Sequence, residues 1–161
     1  MMSDASAVSP ENDKNVDPLE LAAPVSQRVE IRSVALFESH TERTHEESLS
    51  AKDVDQEISV TTIEYARPSG SDKLFVRPSF SLTVTRREND KDQEETLLTV
   101  KATFVLVYSA ESFDGLNDEN FEAFASTNGI DNAWPYWREF VQNTTARMGA
   151  RPVTIPVFRF G

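Results

Sequence analysis

Between Glu95 and Tyr108 the chain alternates strictly, and both alternating faces carry apolar groups. Leu98, Val100, Ala102, Phe104, Leu106 and Tyr108 make one face; Leu97, Thr99, Lys101, Thr103, Val105 and Val107 make the other. A period of two over that length fits a strand and not a helix. Three more segments share the habit. From Arg28, Val29, Ile31, Ala35 and Phe37 fall on one face, and Val34 and Leu36 on the other among Glu30, Arg32 and Glu38. Asp55 to Ala66 has a mixed phase: Ile58 and Val60 face one way, Ile63 and Tyr65 the other, which implies a bulge or burial on both faces. Leu74, Val76, Phe80, Leu82 and Val84 form a third strand with Pro78 inside it, which favours an edge or a bulge. Polar links at His40 to Lys52, Pro68 to Ser71 and Arg86 to Glu94 join them, so an antiparallel sheet is expected.

The period then changes. Asn117 or Asp118 can cap a short helix carrying Phe121 and Phe124, with Asn128-Gly129 as its stop. A second helix is expected from Asp131 or Asn132, with Pro135 in its first turn. Its apolar stripe is Ile130, Trp134, Trp137, Val141 and Met148, with Phe140 beside it. Gly149 suits the residue after the helix, and Pro152 and Pro156 keep the remainder extended. Residues 1–27 mix Ser, Ala, Asp, Glu, Asn and Pro with few large apolar groups, and read as a flexible acidic tail before a single domain, 28–161. A short clasping helix around Leu19 and Leu21 is the alternative.

The formal net charge of -11 argues against nucleic acid and against an anionic membrane surface. Cysteine is absent, which removes disulfides, thiolate zinc sites and thiol catalysis. No basic, apolar leader opens the chain, so a cytoplasmic location is expected. His40, Glu42, His45 and Glu46 are the only metal-like grouping, and their spacing puts the two histidines on different faces. No glycine-rich phosphate loop, isolated carboxylate pair or Ser-His-Asp pattern stands out, so neither an enzyme nor a cofactor is expected. The surplus is aromatic and aliphatic. The second strand faces still carry Phe75, Val34, Leu36, Val105 and Val107, which should meet another subunit or a partner.

Pro135-Tyr136-Trp137-Arg138-Glu139, then Arg147-Met148-Gly149 and Pro152-Val153-Thr154-Ile155-Pro156, resemble the signature of the SecB family of export chaperones. The resemblance implies an α+β fold: a four-stranded antiparallel sheet, two helices and a proline-punctuated extended C-terminus. It implies an ATP-independent holdase that binds unfolded or export-bound polypeptides in apolar grooves, and a homotetramer built as a dimer of dimers. A SecA translocase is the implied recipient of the client. SecB-like proteins also include chaperones dedicated to one antitoxin. An adaptor with one permanent partner is the reading from another class. Candidate client-binding groups are Val34, Leu36, Phe75, Trp137 and Phe140; candidate partner-docking groups are Glu30, Glu38, Glu57 and Glu64. The family's long C-terminal helix has no counterpart before Gly161.

Overall fold

A computed structural model describes residues 15–44, 54–87, 94–151 and 153–158. The elements are α1 (Pro18–Ser26), β1 (Glu30–Arg43), β2 (Val54–Ala66), β3 (Lys73–Arg87), β4 (Glu94–Ser109), α2 (Asp118–Phe124), a π-helical turn (Ala125–Gly129) and α3 (Ile130–Arg147). The strands form one antiparallel sheet in the order β1-β4-β3-β2. The expected α+β class, with four antiparallel strands followed by two helices, is the observed one.

The core lies on one side of the sheet. Leu74, Val76, Phe80, Leu82 and Val84 of β3 pair with the inward residues of β4, and all are buried. The helices close that side. Phe80 stacks on Trp137 at 5.4 Å and meets Trp134 edge-on at 5.8 Å. Asn132 Nδ2 donates to the Tyr108 hydroxyl at 2.9 Å, which ties the start of α3 to β4. Burial pushes the Tyr108 phenol up to about 12, against the smaller opposing effect of that hydrogen bond, so it stays neutral at physiological pH.

Three expectations change. First, the edges are β1 and β2, so β3 is internal despite Pro78. The missing N–H is accommodated in a gap: pairs to β4 pass from Val76↔Leu106 to Ser79↔Thr103, while Ile63 lies opposite Pro78 on β2. Second, Asn128-Gly129 does not end a helix. Gly129 is right-handed helical at φ -61, and the chain runs through the π turn into α3, leaving Pro135 inside the helix. The glycine has a packing role instead. A β-carbon there would stand 2.9 Å from Val76 Cγ1, so only glycine lets the turn approach β3 this closely.

Third, residues 18–26 are not a free tail. Asp17 accepts from the Leu19 amide at 2.9 Å as an N-cap, and Pro18 occupies the first helical turn, where its missing donor costs nothing. Ala22 and Val25 are almost fully buried, and Asn120 Nδ2 donates to the Leu21 carbonyl at 3.0 Å. The alternative of a clasping helix near Leu19 and Leu21 is the one observed. Composition missed it because two small apolar groups suffice when α2 supplies the opposite face. The other end of the helical layer is closed by a Schellman motif. Ala150 N donates to Thr145 O and Gly149 N to Ala146 O, with Gly149 at φ 73.

Gly129→Ala should lower stability by about 1–3 kcal/mol, the usual cost of overpacking. Helix propensity alone would raise it by about 1 kcal/mol. Denaturant titration of the variant decides the sign, and a rise would remove the close-approach argument. A chain beginning at Gln27 should melt at a lower temperature than the full chain, since burying one valine side chain is worth about 1.5–3 kcal/mol. An unchanged transition would mean that α1 contributes nothing to the core.

Candidate polypeptide-binding surface

β1 is a 14-residue edge strand, exposed along nearly its whole length. Two bulges set its faces. Between Ile31 and Ser33 and again between Leu36 and Glu38 the register to β4 slips by one residue. Ile31 therefore pairs with Tyr108, Val34 with Leu106 and Leu36 with Phe104. All three β4 partners are core residues, so all three β1 side chains lie on the helix side of the sheet.

The helical layer covers only Val34 of the three, and that in part. It packs on β4 and β3 and, through the π turn, on β2. At the far end Arg43 Nη1 donates to the Met148 carbonyl at 2.6 Å. Ile31 and Leu36 thus remain 47% and 46% exposed on the core side of the sheet. Phe104 is buried beside Leu36, and half-buried Phe140 meets it edge-on at 6.3 Å. These residues outline a candidate apolar cleft: β1 as one lip, Phe104 between, Phe140 on the helical side. The outer backbone of β1 has no strand partner among the described residues.

The five candidate binding residues separate accordingly. Val34, Leu36 and Phe140 border the cleft. Trp137 is 0% exposed, sandwiched between Phe80 and Phe140, and belongs to the core. Phe75 pairs with Val107 on the opposite, open face, so it does not share a surface with Leu36. The expectation that Val34, Leu36 and Phe75 share a second face fails because the bulge at Arg32 moves the phase of β1. Ile31, assigned to the other face from its spacing, joins Leu36 for the same reason. Phe37 sits at the second bulge, 56% exposed, with the Arg77 guanidinium 5.3 Å from its ring. The same logic resolves β2: a slip between Val60 and Thr62 brings Ile58, Val60, Ile63 and Tyr65 all opposite core residues of β3.

The carboxylates Glu30, Glu38, Glu57 and Glu64 pair with Ser109, Thr103, Thr83 and Arg77, all on the open face. They do not cluster. Glu30 and Glu38 lie on one edge strand and Glu57 and Glu64 on the other, about 14 Å apart at the usual strand spacing. Two of them have cationic partners, Glu30 with Arg32 at 2.9 Å and Glu64 with Arg77 at 3.1 Å. His40 Nε2 is 3.6 Å from Glu42 Oε2, and both side chains are exposed; His45 and Glu46 lie outside the described residues. Among the described residues no three metal-capable side chains converge. Elsewhere, burial and the adjoining Asp118 carboxylate, an acceptor at 3.0 Å, raise the Tyr65 phenol above its usual range.

The motif of α3 has a structural reading that its sequence did not disclose. Arg138 Nε donates to the Ile155 carbonyl at 2.8 Å, and Trp134 Nε1 to the Pro156 carbonyl at 2.8 Å. Val153 and Ile155 are buried. The aromatic helix thus holds the extended C-terminal segment against the body. Pro152 lies outside the described residues.

No protein-family model matches the chain. Two curated relatives, the SecB-like chaperones Rv1957 and MT2006 from two strains of Mycobacterium tuberculosis, are each 23% identical over 154 residues, spanning 89% of this chain and 84% of theirs. The solved structure of Mycobacterium tuberculosis Rv1957 in complex with a ChAD peptide from the Rv1956 HigA1 antitoxin superposes with a TM-score of 0.75 and 21% identity, over 88% of this chain and 99% of that one. The cleft beside β1 therefore lies in a chain that is similar to SecB-like chaperones in sequence along most of its length, and to one of them in fold.

Proposed function

We propose that this protein is an ATP-independent chaperone of the SecB type, which holds extended, non-native polypeptide segments in the cleft between β1 and α3. The observation that carries the reading is the placement of Ile31 and Leu36. They are half-exposed on the side of the sheet where the neighbouring strand, β4, buries its side chains. An apolar lip beside an unpaired strand edge suits an extended chain of any sequence. Main-chain pairing supplies affinity, and shallow pockets take alternate side chains. The acidic net charge of -11 keeps a protein with such a surface from associating with itself without selection.

A chaperone dedicated to one antitoxin is the second reading, favoured by the antitoxin peptide bound to the Mycobacterium tuberculosis relative. Both readings are non-enzymatic and place the protein in the cytoplasm. Assembly into a dimer of dimers is part of the proposal. Phe37, Phe75, Val105 and Val107 on the open face support a contact between copies, because they form an apolar end to a face that is otherwise Ser, Thr and charged. Docking of a SecA-like motor on Glu30, Glu38, Glu57 and Glu64 remains a proposal with a narrower basis, since arginines already engage two of the four.

Replacing Ile31 and Leu36 together by serine should leave the melting temperature almost unchanged, because neither is core. The same variant should lose at least about tenfold in affinity for a reduced, alkylated unfolded protein, the loss expected when two apolar side chains leave an interface. Trp137→Ala is the contrasting control. It should cost about 3–5 kcal/mol of stability, so binding lost there reports unfolding. Full holding activity in the folded double variant would place the client elsewhere. Competition between unrelated unfolded proteins and an antitoxin peptide for the same site separates the general chaperone from the dedicated one.

A further inference from the structure

The fold already contains one extended, apolar peptide bound to its helical layer: its own residues 153–158. From Val153 to Pro156 their side chains alternate as a bound strand would. Val153 and Ile155 are buried, Thr154 and Pro156 are exposed, and Phe158 packs on the Trp134 ring at 4.9 Å.

The main chain of this strap is held by side chains of one stripe of α3. Thr145 Oγ1 accepts from the Val153 amide at 3.1 Å, while the same hydroxyl donates to Val141 O at 2.8 Å. Arg138 Nε donates to Ile155 O, and Trp134 Nε1 to Pro156 O. Trp134, Arg138 and Thr145 follow one another at four and seven residues, a spacing that keeps them on one side of a helix. Every one of these contacts reads the backbone, and none depends on which side chain the strap carries. Selection is left to the sites of Val153 and Ile155, which accept β-branched groups. This is how a sequence-tolerant seat for extended chains is built.

The strap can also leave without breaking a helix or a strand. It belongs to no helix or strand, and Val157, between the Pro156 anchor and Phe158, is 62% exposed. Opening such a segment costs less than unfolding the whole domain.

We propose that the seat on Trp134, Arg138 and Thr145 is self-occupied in the free protein, and that an extended client segment with β-branched or aromatic residues at alternate positions displaces the strap and takes its bonds. The proposal rests on the chaperone reading and adds to the β1 cleft a second seat, one with an intramolecular competitor. Apparent affinity at this seat is then the intrinsic affinity reduced by the small fraction of molecules with the strap released.

Hydrogen exchange on the full wild-type chain, with and without a reduced, alkylated unfolded protein, is the test. The amide of Val153, which donates to Thr145 Oγ1, should exchange at least about tenfold faster once client is bound, as expected for a group released from local protection. Val153→Ala weakens the strap without touching the seat, and should bind the same client about tenfold more tightly. A client that binds while strap exchange is unchanged or slowed overturns the inference and leaves the chaperone reading standing. Equal or weaker client affinity in Val153→Ala also overturns it. If wild-type chain binds no unfolded protein at all, the chaperone reading fails and this inference fails with it.

Discussion

One helical layer has to cover a sheet that is too large for it. β1, with 14 residues, runs about 46 Å at the usual strand rise. α3, with 18 residues, runs about 27 Å. The helices are pinned over the middle of the sheet by Phe80 against Trp134 and Trp137, and by Gly129 against Val76. With that contact set, β3 and β4 are buried and β2 is partly covered. β1 is left with Ile31 and Leu36 half-exposed on the covered side. The candidate cleft is what remains after the core has been closed.

The bulges make that remainder usable. A regular β1 would turn Ile31 away from Leu36, and each face would carry a scatter of single apolar groups. The slips at Arg32 and Phe37 gather Ile31, Val34 and Leu36 toward the helices and send Phe37 to the open face under Arg77. β2 uses the same device once, at Thr61, to turn four alternating-phase residues inward. The two edge strands thus solve the same problem in one way, with different outcomes. β2 ends half-buried against the π turn and α2, through Tyr65 stacked on Phe121 at 5.9 Å. β1 ends free.

Legibility in the sequence followed from how far each signal depends on partners. β3 and β4 were readable because their alternation is unbroken where the core is thickest. The caps at Asn117 and Gly149 were readable because they are local chemistry. The mixed phase of β2 announced a bulge, but the spacing of β1 gave no such sign, so its faces were misassigned and the candidate site was divided. Strand order was not legible, because Pro78 signals a missing donor and an internal strand can absorb that in a gap. The continuity of α2 into α3 was hidden because Asn128-Gly129 is a common stop, and its use here depends on Val76, a residue far away in sequence. α1 was missed because Ala22 and Val25 acquire weight only against α2. Trp137 and Arg138 were noticed as a motif, but their division of labour, one in the core and one on the strap, is tertiary information.

Site-specific photo-crosslinking addresses the central claim most directly. A photoreactive residue is placed at position 36 in one chain and at position 75 in another, and each is illuminated with a bound unfolded protein. The account predicts strong crosslinks to the client from position 36, on the helix side of β1, and few from position 75, on the open face. Crosslinks from position 75 alone would contradict it and move the binding surface to the other side of the sheet.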